Sequence, residues 1–243
     1  MKVVKYVFKL IPLIICSSFW IKYFNFRKDK ISRIKAYRKI KKLLDKVAKI
    51  MNIEYVIEGK ENLPLEQSYL ITPNHQSMLD PFIFFHLFDD PISFVCKKEV
   101  KKMPLVSDII DTIGGKYLER DNLKQEIKVM RNITKDMKSR NIRYVLFPEG
   151  TRTKDENFKM NDFKAGALKF PMNSGIKIIP VCLHGTSKVF DDKYKQKKNR
   201  IFVSILPPVT KEEYQDLNTN QLATELKNRI QNRLNEIISK ESL

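Results

Sequence analysis

The sequence is poor in glycine, histidine and cysteine, and these shortages exclude several kinds of site. Its 243 residues include seven glycines, three histidines and three cysteines. The glycines form neither G-x-G-x-x-G nor G-x-x-x-x-G-K, so the chain lacks the common nucleotide-phosphate loops. It has no H-E-x-x-H and no C-x-x-C, which leaves metal binding without support. It has no G-x-S-x-G, which argues against an α/β-hydrolase.

The three cysteines are odd in number and far apart in the chain, at Cys16, Cys96 and Cys182. This pattern predicts no disulfide framework, and it fits a folded domain in a reducing, cytosolic environment. Neither Cys96 nor Cys182 has a basic partner nearby in sequence. We therefore expect no acyl-cysteine intermediate.

Negative charge is scarce relative to positive charge. The 46 Lys and Arg residues outnumber 28 Asp and Glu residues, which gives a formal net charge of +18. Such a balance favours contact with polyanions: nucleic acid, an anionic membrane surface or phosphorylated substrates. Because no recognised nucleic-acid-binding motif is present, we predict no nucleic-acid partner. A basic membrane- or nucleic-acid-binding protein without catalysis remains the alternative from a different functional class.

The first part of the chain is apolar and then basic. Its uninterrupted apolar stretch, residues 10–21, is shorter than the roughly 20 residues that cross a bilayer. Lysine and arginine flank it on both sides, which argues against a simple crossing. Residues 31–51 then place apolar side chains on one helical face and many basic side chains on the remainder. That pattern is typical either of a helix in an anionic membrane interface or of an ordinary surface helix packed on the domain.

We interpret residues 1–51 together as a membrane-docking segment that lies in the interface, because the apolar stretch directly precedes the amphipathic helix. Anionic membrane lipids are the partners that this interpretation predicts. The expected location is the cell membrane, by monotopic or peripheral attachment, with residues 52–243 as a catalytic domain on the cytoplasmic side.

From residue 52 onward, short β-rich runs alternate with helical stretches. Near-continuous apolar runs such as RYVLF and KIIPV suit strands buried on both faces. The alternation predicts an α/β domain with a mostly parallel or mixed central sheet flanked by helices. One helical stretch contains Pro171, where we expect the helix to end.

Polar residues cluster where the first of these buried strands ends, in NHQSMLD at residues 74–80. Ser77 and Asp80 resemble a capping box at the start of a helix, with Asp in place of the usual Glu. If the helix starts at Ser77 and His75 lies in the preceding loop, Asp80 can hydrogen-bond the imidazole. The other ring nitrogen would then be free to act as a general base.

Two further segments carry polar residues at the ends of other predicted strands. FPEGTR at residues 147–152 supplies Glu, Gly, Thr and Arg, and GGKYLER at residues 114–120 supplies two glycines, Lys and Arg. Together with His75 they describe a base beside a cationic pocket. Such a site suits a hydroxyl nucleophile whose molecule also carries a phosphate. His86 lies within an apolar helix and is expected to be structural, whereas His184 has no carboxylate nearby in sequence.

The motifs resemble those of the glycerolipid acyltransferases that convert lysophosphatidic acid to phosphatidic acid. NHQSMLD matches the family's NHx4D element, and FPEGTR matches its FPEGTR element. GGKYLER and IIPVCLHGT resemble two further blocks, and all four occur in family order between roughly residues 50 and 210. The departures are mild: Lys116 and Tyr117 stand where apolar or aromatic residues are common, and His184 stands in the fourth block.

The resemblance implies the family's α/β fold and an acyl transfer with no cofactor. The donor would be a thioester, acyl-CoA or acyl carrier protein, and the acceptor the sn-2 hydroxyl of lysophosphatidic acid. Glycerol 3-phosphate and another lysophospholipid stay open as acceptors. By match to the motifs, His75 and Asp80 are the catalytic pair. The residues implied in substrate binding are Gly114, Lys116, Arg120, Glu149, Gly150, Thr151 and Arg152.

Overall fold

The structure, a computed structural model, describes residues 2–65, 68–119, 122–140, 142–194 and 197–241. These residues form seven strands: β1 (Ile53–Glu58), β2 (Tyr69–Pro73), β3 (Ile92–Lys97), β4 (Lys116–Leu118), β5 (Arg143–Leu146), β6 (Lys177–His184) and β7 (Asn199–Ile205). They also form eight α-helices: α1 (Lys2–Phe26), α2 (Arg33–Ile50), α3 (Asp80–Leu87), α4 (Val106–Thr112), α5 (Leu123–Arg140), α6 (Lys169–Ser174), α7 (Lys211–Tyr214) and α8 (Thr219–Glu241).

All seven strands join one sheet, in the order β1-β7-β6-β2-β5-β3-β4. The pair β6–β7 is antiparallel, and the five other neighbouring pairs are parallel. The predicted mixed α/β fold is therefore confirmed. Because β2, β5 and β6 are parallel neighbours, the loops that follow them leave the sheet at the same edge.

Helices cover both faces of the sheet. On one face, α1 to α4 bury an apolar core that includes Tyr37, Phe84, Phe94 and Ile179. On the other face, α5 and α6 pack around Ile133, Tyr144 and Phe170, and α8 packs around Cys182 and Leu226. Burial on both sides explains why the central strands are continuous apolar runs in sequence.

The proline in α6 does not end that helix. The preceding residues, Ala165–Leu168, form a 3₁₀ turn, and the α-helix begins only at Lys169. Pro171 consequently lies in the first turn, where its missing N–H is not needed, and the helix continues to Ser174. The expectation that the helix ends at Pro171 is wrong for this reason. Gly175, with φ 64°, terminates it instead.

The two N-terminal helices pack on the domain rather than forming a separate unit. The apolar side of α2 is buried, with Tyr37 and Ile40 fully inside the core. This arrangement is the surface-helix alternative that the sequence left open. By contrast, α1 buries Ser17, Ile21 and Phe24 and leaves much of its apolar surface exposed.

Candidate active site

The site is built where β2 ends. His75 lies in the loop after the strand, and α3 begins at Asp80, with Pro81 in its first turn. Nδ1 of His75 is 2.7 Å from Oδ2 of Asp80. The helix thus starts three residues later than the expected start at Ser77, and Asp80 reaches back over the intervening loop. The predicted pairing of His75 with Asp80 is present in the structure.

Asp80 is fully buried and is surrounded by hydrogen-bond donors. Its Oδ2 accepts from the main-chain N–H groups of Gln76 (2.7 Å) and Ser77 (2.9 Å), in addition to His75. Its Oδ1 accepts from the hydroxyl of Thr186 at 2.5 Å. An ionised carboxylate, which only accepts, satisfies this arrangement. Nδ1 of His75 therefore carries the proton that it donates to Asp80, and Nε2 is left with a lone pair.

The loop after β5 fixes the other side of His75. The ring of Phe147 lies 4.3 Å from the imidazole, centroid to centroid, at an interplanar angle of 33°. The main-chain N–H of Thr153 donates to the carbonyl of His75 at 2.8 Å. The His75 side chain keeps 20% of its surface exposed, so a substrate can reach it.

Glu149 connects the two motif loops from inside the protein. Its Oε1 accepts from the main-chain N–H of His75 at 2.7 Å. Its Oε2 accepts from the main-chain N–H and the side-chain amide of Asn161, at 2.9 and 3.0 Å. Burial raises the pKa of Glu149, and these hydrogen bonds lower it only in part. With 1% of its surface exposed and both oxygens engaged, Glu149 is placed to position His75.

The three residues after Glu149 lead from the interior to the surface. Gly150 has φ 67°, in the left-handed region that side chains other than glycine's disfavour. Thr151 and Arg152 are exposed on the surface beyond it. The structure therefore brings the FPEGTR loop to His75, with the guanidinium of Arg152 on the solvent side.

The sequence block that follows α4 is placed differently. Gly114 precedes β4, near Ser93 at the start of β3 and the side chain of Arg33. It therefore lies at the sheet edge opposite His75. Lys116 extends from β4 and forms an ion pair of 3.0 Å with Asp136 of α5. Neither residue contacts His75 in the described part of the chain, and Arg120 lies outside the described residues. Their predicted roles in substrate binding stay predictions.

Thr186 is the site residue that motif reading missed. It follows β6 and is fully buried against Asp80, 106 residues away in sequence. Gly185 before it has φ 96°, and a Cβ there would clash with the carbonyl of Arg200. The sequence signal was available in the Gly-Thr that ends the fourth motif block. Only the packing of β6 beside β2 shows which side chain the threonine contacts.

His184 has a carboxylate partner after all, far along the chain. Its Nε2 is 2.8 Å from Oε2 of Glu241, at the end of α8, and the same oxygen pairs with Lys188 at 2.6 Å. Burial, followed by the charge of Lys188, lowers the pKa of His184 to about 4. The imidazole is therefore neutral near pH 7 and donates a hydrogen bond. It ties the C-terminal helix to the strand that precedes Thr186.

The remaining histidine and the thiols lie away from the pair. His86 stacks on Tyr55 with 4.3 Å between ring centroids, near the opposite end of α3 from Asp80. Burial raises the pKa of Cys96 to about 12 and raises that of Cys182 further, which suits unreactive thiols. Within the described ranges, no group of three His, Cys, Asp or Glu residues could hold a metal ion.

Comparison with known proteins places this chain in a family. A family model described as Acyltransferase matches residues 54–184, more than half of the chain. The 1-acyl-sn-glycerol-3-phosphate acyltransferase of Saccharomyces cerevisiae is 28% identical over 189 residues, which cover 77% of this chain and 62% of the yeast protein. A Borreliella burgdorferi protein of the same name is 29% identical and covers 58% of this chain and 55% of its own length.

The chain thus spans less than two thirds of the length of these curated relatives. Among solved structures, the 1-acyl-sn-glycerophosphate acyltransferase PlsC of Thermotoga maritima shares the fold. It has a TM-score of 0.75 and 21% identity, with 98% of both chains covered. The shared fold extends through α1 and α2.

Proposed function

The chain belongs to the acyltransferase family, and on that premise we propose that it acylates the sn-2 hydroxyl of 1-acyl-sn-glycerol 3-phosphate. The acyl donor is a thioester, either acyl-CoA or acyl carrier protein, and the product is phosphatidic acid. The observation that carries the proposal is the His75–Asp80 pair, which leaves a basic imidazole nitrogen at the exposed side of the site. The names of these relatives agree with this acceptor.

In the proposed reaction, Nε2 of His75 takes the proton from the acceptor hydroxyl as the oxygen attacks the thioester carbonyl. Asp80 holds the imidazole in the required tautomer and stabilises its positive charge. The tetrahedral intermediate then collapses, the carbon–sulfur bond breaks, and the thiolate leaves and takes up a proton. General-base assistance of this kind contributes about 10²–10⁴ in rate.

The phosphate of the acceptor is assigned to the outer part of the FPEGTR loop. Arg152 is exposed next to the site, and no ion pair engages it among the residues described. A guanidinium offers paired donors that match phosphate oxygens. Gly150 and Thr151 shape the loop that carries it. Arg120 is proposed for the same task on the strength of its motif.

Attachment to the membrane is assigned to α1. By length and composition this helix could cross a bilayer. Both ends, however, contact the domain: the main-chain N–H of Lys2 donates to Asp192 at 2.7 Å, and the Asn25 amide donates to Asp108 at 2.8 Å. A helix held at both ends lies along the domain, which favours monotopic attachment at the cell membrane. Its exposed face carries Phe8 and Phe19, 71% and 74% exposed.

A mass-spectrometric assay of the purified full-length protein tests this function. The protein is offered paired acyl donors (acyl-CoA, acyl carrier protein) and acceptors (lysophosphatidic acid, glycerol 3-phosphate, other lysophospholipids). We expect phosphatidic acid from lysophosphatidic acid, and none from a folded His75→Ala variant. Acylation of a different acceptor in preference would replace the proposed substrate. Absence of transfer with every pair would reject the activity.

A further inference from the structure

A basic groove lies on the side of the sheet that α8 covers only in part. It has a volume of about 660 Å³ between β1, β7 and α8. Val56, Phe202 and Ile237 form its apolar floor. The charged side chains along its walls are Lys197, Lys198, Arg200, Arg233 and Lys240, with Glu58 and Glu241.

The groove carries an excess of positive charge that its own acids do not neutralise. Five basic residues face two acidic ones, and both acids are engaged: Glu58 pairs with Arg233, and Glu241 pairs with Lys188. Within the described ranges, Lys197 and Lys240 have no acidic partner. Lys198 and Arg200 pair with Glu54 at 3.4 and 3.7 Å, but this pairing is at the exposed edge of β1 and therefore weak.

The groove follows β7 from an inner end at Ser204 to an outer end at Lys197, and the outer end lies at the sheet edge where β2 and β6 end. Arg233 lies at the inner end, where it pairs with Glu58 and donates to the hydroxyl of Ser204 at 2.9 Å. The outer end is formed by the start of β7 and the end of α8. There the groove-lining Glu241 contacts His184, which stands two residues before the Thr186 that binds Asp80. The charged outer end thus lies at the same sheet edge as His75.

We propose that this groove binds the nucleotide end of an acyl-CoA donor and so makes coenzyme A the carrier from which the acyl group is taken. This inference rests on the proposed acyl transfer. Ammonium and guanidinium groups bind phosphate oxygens by charge-assisted hydrogen bonds, and the apolar floor offers a surface for the flat base. The volume falls within the range of about 300–1,000 Å³ that is typical of small-molecule pockets. A concave groove of this size suits a nucleotide better than the convex surface of a carrier protein.

Calorimetric titration of the full-length protein with unacylated coenzyme A measures this binding without turnover. The informative variants are Lys197→Glu and Lys240→Glu, each of which reverses one basic charge at the outer end of the groove. Lys138→Glu is the matched control, because Lys138 is an exposed lysine on α5, outside the groove. We expect each groove variant to raise the Kd for coenzyme A about tenfold or more, and the control to leave it unchanged.

Pantetheine, which lacks the nucleotide, separates the groove from the thiol-binding region, and its affinity should not differ among the variants. The proposal is overturned if the wild-type protein does not bind coenzyme A, or if all three lysine variants behave alike. It is also overturned if the groove variants lose affinity only for acyl carrier protein or only for anionic vesicles. Coenzyme A binding without any acyl transfer would reject the proposed activity and keep the groove. Acyl transfer together with unaltered coenzyme A affinity in the groove variants would keep the proposed activity and reject the groove as the coenzyme A site.

Discussion

Thr186 and Asp80 are joined by a hydrogen bond of 2.5 Å between two fully buried side chains, from the segments that follow the neighbouring parallel strands β6 and β2. The Thr186 hydroxyl donates to Oδ1 of Asp80, and the other carboxylate oxygen, Oδ2, faces His75. Thr186 therefore positions Asp80 and, through Asp80, the imidazole of His75.

We expect Thr186→Val to lower kcat about ten- to a hundredfold while KM for either substrate changes little. The variant keeps the side-chain shape but removes a hydrogen bond to a charged group, which contributes about 1.5–3 kcal/mol. Steady-state kinetics with each substrate varied measures both constants. Thr186→Ser, which retains the hydroxyl, should restore most of kcat. Equal losses in both variants would show that only packing matters at this position.

Asp80→Asn should reduce kcat by about 10²-fold or more. The amide keeps the size of the carboxylate but cannot accept from four donors, and it carries no charge to support the imidazolium. Thermal unfolding of the variant serves as the control for folding. A folded variant with only a small loss of kcat would mean that Asp80 chiefly holds the loop before α3.

Glu149→Gln distinguishes a positioning role from a substrate-binding role. If Glu149 positions His75, the variant should lower kcat about tenfold. Each carboxylate oxygen of Glu149 accepts from a main-chain N–H group, of His75 or of Asn161. The side-chain NH₂ of glutamine would replace one of these acceptors with a donor. KM for the lysophospholipid should then be nearly unchanged. A variant with normal kcat and a strongly raised KM for the acceptor would instead support the direct binding that the motif implies.

Arg152→Ala should weaken use of the acceptor by roughly ten- to a hundredfold, from the loss of a charge-assisted bond worth about 1.5–3 kcal/mol. Arg152→Lys should be impaired less, since it keeps the charge but loses the paired donors. The readout is KM for lysophosphatidic acid, and Arg131→Ala, at an exposed position on α5, is the control. Unchanged acceptor KM in a folded Arg152→Ala protein would refute the phosphate contact.

Phe19→Asp should weaken binding of the full-length protein to anionic vesicles by about ten- to a hundredfold. Burying one aromatic side chain contributes about 1.5–3 kcal/mol. Ile127→Asp, at an exposed position on α5, is the control. Vesicle sedimentation at increasing salt adds a second reading, because apolar insertion survives screening. Complete release of the wild-type protein by salt would show a purely electrostatic attachment.

The sequence alone was sufficient for the central strands of the sheet and for the pairing of His75 with Asp80. The apolar runs RYVLF and KIIPV predicted the central strands β5 and β6, because a strand covered on both faces buries nearly every side chain. His75 and Asp80 could be paired because only five positions separate them and a loop-to-helix turn brings them together. The apolar character of α1 was likewise recognisable from composition. The sequence did not show that the apolar face of α2 packs against the domain.

What the tertiary structure decided depends on contacts between distant parts of the chain. Thr186 reaches Asp80 because β6 lies beside β2, and Glu149 meets the main chain of His75 because β5 lies on the other side of β2. Gly114 and Lys116 share a motif block with Arg120, yet Gly114 precedes its strand and so falls at the far edge of the sheet. Strand order and direction fix such relationships, and local residue patterns carry no record of either.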